Sequence, residues 1–227
     1  PDHVFQGPDG ELYAWYGPAV KRLDAQTAST VPVGSLPFTP ESVAILPDGT
    51  WLVSQNPTLY KFDAATGSLA PWLTLPFTPG PSILLAANSL GQALAAASYG
   101  NQVFFIAPDG QFSERAAFVS AIVLDGAGTA YLGFGSSEGG YVERIEPGGT
   151  STFLNANPLP PTLATDAAGA LYLIGYDGLM RVPPGEVDAQ PFLAIPANLV
   201  IQVQIAAAAT QIRKDFAYDE LNRLVAA

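Results

Sequence analysis

The chain has no cysteine, a single histidine and few charges. Without Cys there can be no disulfide, thiolate nucleophile or Cys-ligated metal, although the compartment stays open. The one histidine, His3, lies at the start of the chain, which argues against a Ser-His-Asp triad. Charged residues make up 13% of the sequence, and 9 Lys and Arg against 20 Asp and Glu give a formal net charge of −11. A basic footprint for phosphates is therefore missing, so neither nucleic acid nor an anionic membrane surface is an expected partner. There is no apolar run of about 18 residues to span a membrane, and no basic-then-apolar signal segment. The chain begins at Pro1 rather than Met, which suggests a processed product or an excised piece, for instance after removal of an export signal.

Hydrophobic residues reach 48% of the 227 positions, enough for a sizeable core without staples and too many for disorder. The 22 Gly and 21 Pro are spread along the chain, favouring many short strands over long helices. A short motif recurs: "GPDGELYA" from Gly7, "LPDGTWLV" from Leu46, "LDGAGTAYLG" from Leu124 and "TDAAGALYLI" from Thr165. The aligned glycines Gly10, Gly49, Gly91, Gly128 and Gly169 are 39, 42, 37 and 41 residues apart. A period near forty indicates propeller blades or a helical array. Short alternating runs, cut by turn residues after about five to seven positions, favour blades.

The second unit shows four strands: Ser42–Leu46 (a), Thr50–Gln55 (b), Leu59–Asp63 (c) and Ser68–Leu75 (d). Asp48-Gly49 supplies the tight a-to-b hairpin, and Pro47 ends the ladder by lacking an N–H. Strand c recurs as "AVKRLDAQT", "LYKFDAATG", "QVFFIAPDG", "YVERIEPGG" and "LMRVPPGE"; the d-to-a link recurs as "SLPFTPES" and "TLPFTPGP". In strand b, Leu12, Ala14 and Tyr16 face one way and Tyr13 and Trp15 the other, as Leu171 and Leu173 oppose Tyr172 and Ile174. On this register, Leu52→Asp and Tyr172→Asp are both expected to unfold the protein. Five units are clear over residues 3–197, within a single domain covering 1–227. The remainder, 198–227, has two readings. It is either a degenerate sixth blade, with strands at 198–204, 206–213, 216–219 and 223–227, or a C-terminal helix over 206–225. Ala richness and the spacing of Ile212 and Phe216 support the helix. The expected fold is all-β, a β-propeller of four-stranded blades, six blades leading and five plus a helix as the alternative.

From Val4 to Gln204 these motifs resemble the NHL-repeat and gluconolactonase-like β-propellers. The resemblance implies a ring in which the d-to-a and b-to-c connections share one face around the channel mouth. That face would carry Glu41, Gln55, Asn56, Tyr99, Asn101, Glu138, Tyr176 and Asp177, a mix of amides, rings and carboxylates suited to a sugar or peptide. Phe38 and Phe77, in the twin "LPFTP" segments, read as plugs at blade junctions. Asp9, Asp48, Asp109, Asp125 and Asp166 read as hairpin-turn residues, not as a Ca²⁺ set, since no Asp-x-Asp-x-Asp-Gly cluster occurs. Lactonases of the resembling group hold a channel metal with Glu, Asn and Asp. Glu41, Asn88, Asn101, Asp125 and Asp166 are of those types, yet none lies in a motif that carries the role across. Virginiamycin-lyase-like propellers use a catalytic His, against which the lone His3 argues. Residues 133–140, "GFGSSEGG", lack the Lys and the strand-to-helix context of a phosphate loop.

The leading expectation is a non-enzymatic extracellular, cell-surface or periplasmic propeller that binds a protein partner or self-assembles. No cofactor is predicted, with Ca²⁺ or another divalent cation in the channel left open. The alternatives are a metal-dependent lactonase-type hydrolase and a carbohydrate-binding, lectin-like propeller.

Overall fold

The computed structural model describes residues 3–6, 12–24, 29–77, 82–98, 100–136, 139–155, 158–166, 168–175, 178–193, 217–218 and 224–226. They form five antiparallel four-stranded sheets in chain order. The first is β1 (His3–Gln6), β2 (Leu12–Tyr16), β3 (Ala19–Asp24) and β4 (Ser29–Ser35). The second is β5 (Val43–Ile45), β6 (Trp51–Gln55), β7 (Thr58–Asp63) and β8 (Ser68–Thr74). The third is β9 (Ile83–Ala87), β10 (Ala93–Ala97), β11 (Val103–Ile106) and β12 (Phe112–Arg115). The fourth is β13 (Ala121–Leu124), β14 (Ala130–Ser136), β15 (Gly139–Ile145) and β16 (Ser151–Leu154). The fifth is β17 (Pro158–Thr165), β18 (Leu171–Gly175), β19 (Gly178–Val182) and β20 (Gln190–Leu193). In blade 2 the expected strands are met to within a residue at each end.

Successive blades pack face to face through strands a and b, while strands d, such as β4, β8 and β12, are largely exposed at the rim. The alternation of strand b sorts side chains between two junctions. In β6, Trp51 and Val53 join Tyr13, Val20 and Leu36 of blade 1. Leu52, between them, joins Ile83, Ala93 and Ala95 of blade 3. In β10, Ala93, Ala95 and Ala97 face blade 2, whereas Leu94 and Ala96 face Leu124, Ala130 and Leu132 of blade 4. Blades 4 and 5 meet through Tyr131, Val142 and Leu154 against Leu171, Leu173 and Val182. Blades 2, 3 and 4 thus bury both faces, which stacking of blades achieves and an isolated sheet cannot. Small residues admit the close approach: a Cβ on Gly133 would sit 3.2 Å from Leu163 Cδ1 of the next blade.

Both expected plugs fill junctions. Phe77 is buried with its ring edge-on to Phe104 at 4.8 Å, and Phe38 packs on Tyr60 at 5.0 Å. The a-to-b hairpins are alike in blades 2 to 5. The N–H groups of Gly49, Gly91, Gly128 and Gly169 donate back to the carbonyls of Leu46, Asn88, Asp125 and Asp166.

The blade count differs from the leading expectation. Among the described residues there are five four-stranded blades and no helix. Strands a and b of the expected sixth blade, 198–204 and 206–213, lie outside the described residues. Where its strands c and d were expected stand β21 (Ala217–Tyr218) and β22 (Leu224–Ala226), an antiparallel pair with Ala217 opposite Ala226 and Tyr218 opposite Leu224. The helix over 206–225 is corrected at these positions: their backbone is extended and pairs across to another strand instead of bonding within one turn.

Candidate functional site

Of the eight residues expected on the ligand face, Glu41, Gln55, Asn56 and Asn101 are described. Tyr99, Glu138, Tyr176 and Asp177 lie outside the described residues. Glu41 precedes β5 on a d-to-a connection; Gln55 and Asn56 open the b-to-c turn of blade 2, with a cis Asn56–Pro57 peptide; Asn101 lies on the b-to-c turn of blade 3. Gln55 and Asn101 are exposed and Asn56 is half-buried.

Glu41 has a structural task. Its Oε2 accepts the Ile83 N–H at 2.9 Å, and Ser42 Oγ accepts the Leu85 N–H at 3.1 Å. Strand a is the free edge of its sheet, and alternate N–H groups of β9 find no partner inside blade 3. Blade 2 supplies the acceptors, since a partly buried N–H left without one costs free energy.

The five residues of lactonase type do not converge. Glu41 and Asn101 sit on the d-to-a and b-to-c face, whereas Asn88, Asp125 and Asp166 end strands a on the opposite face. Among the described residues, no three His, Asp or Glu side chains are grouped to share a metal ion. The hairpin carboxylates act in turns: Asp48, Asp109, Asp125 and Asp166 each accept the N–H two residues on, from Thr50, Gln111, Ala127 and Ala168, at 2.9–3.0 Å. They fill two different places, however. Asp125 and Asp166 occupy the position of Leu46 in blade 2, and each accepts a second N–H, from Thr129 or Ala170. Asp9 lies outside the described residues.

Two features were not among the sequence expectations. On the d-to-a and b-to-c face of blade 4, Phe134 stacks on Tyr141 with centroids 4.4 Å apart and 14° between planes. Tyr141 meets Phe153 edge-on at 5.4 Å. Tyr141 and Phe153 are 45% and 62% exposed, and Phe118, on the d-to-a connection leading into this blade, is 63% exposed. Glu143, on the same sheet face as Tyr141, is buried and ion-paired to Arg115 of blade 3. The available signal was the pairing of Phe134 with Tyr141 across the b-to-c hairpin, which is legible only once the strand register is known.

The second feature is a cleft of about 240 Å³ on the opposite face, between the hairpins of blades 4 and 5. Asp125, Thr129, Tyr131, Arg144, Glu146 and Gly169 are among its walls. Burial pushes the Tyr131 phenol up to about 12, with the Asp125 charge adding to the effect and Arg144 opposing it. Arg144 Nε lies 3.1 Å from Glu146 Oε1, and its Nη1 donates to the Glu186 carbonyl at 2.9 Å.

No protein-family model matches the chain, and no curated protein matches it. Solved structures share its architecture. A catalytically inactive histidine-to-alanine form of virginiamycin B lyase from Staphylococcus aureus, with quinupristin, is 14% identical over 86% of this chain and 69% of its own, with a TM-score of 0.63. A chain of a nidogen/laminin complex is 16% identical over 78% of this chain and 74% of its own, at 0.59. The WD40 repeats of RRP9 are 11% identical over 82% of this chain and 61% of their own, at 0.60. At such identities the likeness is one of fold, and it agrees with the sheet topology: the chain is a β-propeller built of four-stranded blades.

Proposed function

We propose that this propeller is a non-enzymatic binding or assembly module that engages a protein partner through its d-to-a and b-to-c face. The observation that carries this reading is the exposure of Phe118, Tyr141 and Phe153 around one blade of that face. Large rings left in water mark interaction surfaces, and aromatic anchors dominate binding energy at such surfaces. The Phe134–Tyr141 stack and the Arg115–Glu143 pair hold the rings on a rigid sheet, which lowers the ordering cost of binding. The nidogen/laminin neighbour is itself a chain of a protein complex. The lyase neighbour is inactive as a histidine-to-alanine form, whereas this chain has one histidine, in β1.

The expected partner surface is apolar, and a second copy of the chain is the first to test. Sedimentation velocity across a concentration series, comparing the native chain with Phe118→Ser/Tyr141→Ser/Phe153→Ser, reads this directly. Concentration-dependent association of the native chain, lost in a folded triple variant, supports the proposal. For a partner other than itself, photo-crosslinkers placed at 118 and 153 should capture one protein, and the same label at exposed Val31 should not. If neither association nor site-dependent capture appears, this reading of the aromatic face fails.

A further inference from the structure

The outer strand of each of the five blades is an edge of its sheet. Such an edge is a template for another strand unless something blunts it. Four of the five are blunted. β4, β8 and β20 carry Pro32, Pro71 and Pro191, and beside each proline the register with strand c shifts. Proline has no N–H to offer, and a bulge bends the edge away from an incoming strand. β12 carries Glu114 and Arg115 among its four residues. β16 has neither protection. Its sequence Ser151-Thr152-Phe153-Leu154 is uncharged and free of proline, and it pairs with β15 without a shift. Ser151 and Phe153 are exposed.

The residue after β16 shows that this edge takes a strand. Asn155 donates its N–H to the Val187 carbonyl at 2.7 Å, and its own carbonyl accepts the Ala189 N–H at 3.2 Å, a parallel bridge to blade 5. Both backbone groups of Asn155 therefore point away from β15. Their direction alternates along a strand, so those of Phe153 and Ser151 also point outward. No described residue beyond the sheet bonds to either. Two copies of β16 laid antiparallel about Thr152 satisfy all of these groups. Each Ser151 exchanges N–H···O bonds with the other copy's Phe153, and the two Thr152 residues meet as a cross-strand pair. That register is its own mate, as an isologous two-fold contact must be. It sets no charge of the strand against its copy, although each chain carries a net −11. It also brings Phe153, 62% exposed and edge-on to Tyr141, beside the second copy. Opposite Asn155 would stand the other copy's Gly149, around which a Cβ meets nothing within 4 Å. We propose that the outer edge of blade 4 is a self-association site, where β16 of one chain pairs antiparallel with β16 of a second copy. The proposal rests on the reading of the aromatic face, shares Phe153 with it, and adds the partner and the register.

The test combines sedimentation velocity of the full-length protein across a concentration series with amide hydrogen exchange. The native chain should associate. Its Ser151 and Phe153 amides should exchange more slowly as concentration rises, while the Val31 amide of β4 stays unchanged. Ser151→Pro removes an outward N–H at the first residue of β16, a place that tolerates proline, and leaves every ring of the aromatic face in position. It should weaken association by about tenfold or more, because one change removes two bonds from the symmetric pair. The chain has no cysteine, so a single thiol introduced by Thr152→Cys reads the register. Cα atoms of a directly opposed, non-hydrogen-bonded pair lie about 4.5 Å apart, within disulfide reach. Thr152→Cys should therefore crosslink between chains under mild oxidation far faster than Val31→Cys, which sits on the proline-guarded edge. A native chain that stays monomeric at every concentration overturns the proposal, and so does crosslinking of Thr152→Cys no faster than that of Val31→Cys. Association that persists in folded Ser151→Pro, with the native Ser151 and Phe153 amides exchanging freely, overturns the edge pairing and leaves the aromatic face as the contact.

Discussion

Asn88 of blade 3 donates its Nδ2 to the backbone carbonyl of Asp125 in blade 4, at 3.0 Å. The same amide donates to Gln92 Oε1 at 2.9 Å, while its oxygen accepts the N–H groups of Leu90 and Gln92. One side chain both builds a hairpin and struts a blade junction, with its hydrogen-bonding capacity in use. Asn88→Asp keeps the turn acceptor, loses both donors, and sets a carboxylate against a carbonyl. It should cost about 1–3 kcal/mol, read as a lower urea midpoint at an unchanged slope.

Glu41 separates a structural role from a ligand role. If its main task is to accept the Ile83 N–H, Glu41→Gln should be tolerated, since an amide oxygen can take over. Glu41→Ala should lose about 1–2 kcal/mol and speed hydrogen exchange at the Ile83 amide. Unaltered exchange in the alanine variant would contradict the clamp.

Leu52 and Tyr172 respond differently to a charge. Leu52 is fully buried between blades 2 and 3: Leu52→Ala should cost about 2–5 kcal/mol, and Leu52→Asp should prevent folding. Tyr172 is half-buried, with its hydroxyl on Asp166 and its ring edge-on to Phe192 at 5.3 Å. Tyr172→Asp should therefore lower the melting temperature by less than Leu52→Asp, a graded outcome in place of two equal failures.

Gly128 combines a left-handed backbone, φ 91°, with a crowded site: a Cβ there would sit 2.8 Å from Gln92 Oε1. Gly49 has φ 84° and open space around it. Gly49→Ala should cost about 1 kcal/mol from backbone strain alone, and Gly128→Ala more, because the Asn88–Gln92 contact must also move. Thermal unfolding of the pair measures the difference.

Tyr131 gives the protein an alkaline step. Its phenol is raised to about 12, first by burial and then by Asp125. A raised pKa means that the folded state favours the neutral phenol. That stabilisation is fully present below the ordinary tyrosine value near 10 and is lost as pH climbs towards 12. Ultraviolet titration should show Tyr131 ionising late, and Tyr131→Phe should remove that step while flattening the fall in stability over that interval.

The repeat itself was legible because its signals are local. Pro47-Asp48-Gly49 and the alternation from Trp51 to Gln55 place a hairpin and a strand without reference to the rest of the chain, and β5 to β8 follow within a residue. The plugs Phe38 and Phe77 were legible for the same reason, standing in matched contexts. Glu41 was read as a ligand-face residue, but its hydrogen-bond partner Ile83 lies a whole blade away. The Phe134–Tyr141–Phe153 cluster needs three strands in register before its rings meet.

Composition and periodicity by themselves determined an all-β chain of repeated four-stranded units, with turn residues where strands must end, because alternation and hairpin chemistry act over a few neighbours. Tertiary structure alone decided which of these side chains bond within a blade and which bond across a junction. Asp125-Tyr131-Arg144 and Asp166-Tyr172-Arg181 are the same letters at the same spacing. In blade 5 Tyr172 bonds to Asp166 and Arg181 to Tyr172, whereas in blade 4 Tyr131 and Arg144 bond across the junction to the Gly169 and Glu186 carbonyls. That difference arises from contacts between residues some forty positions apart, whose distance is set only when one blade docks on the next.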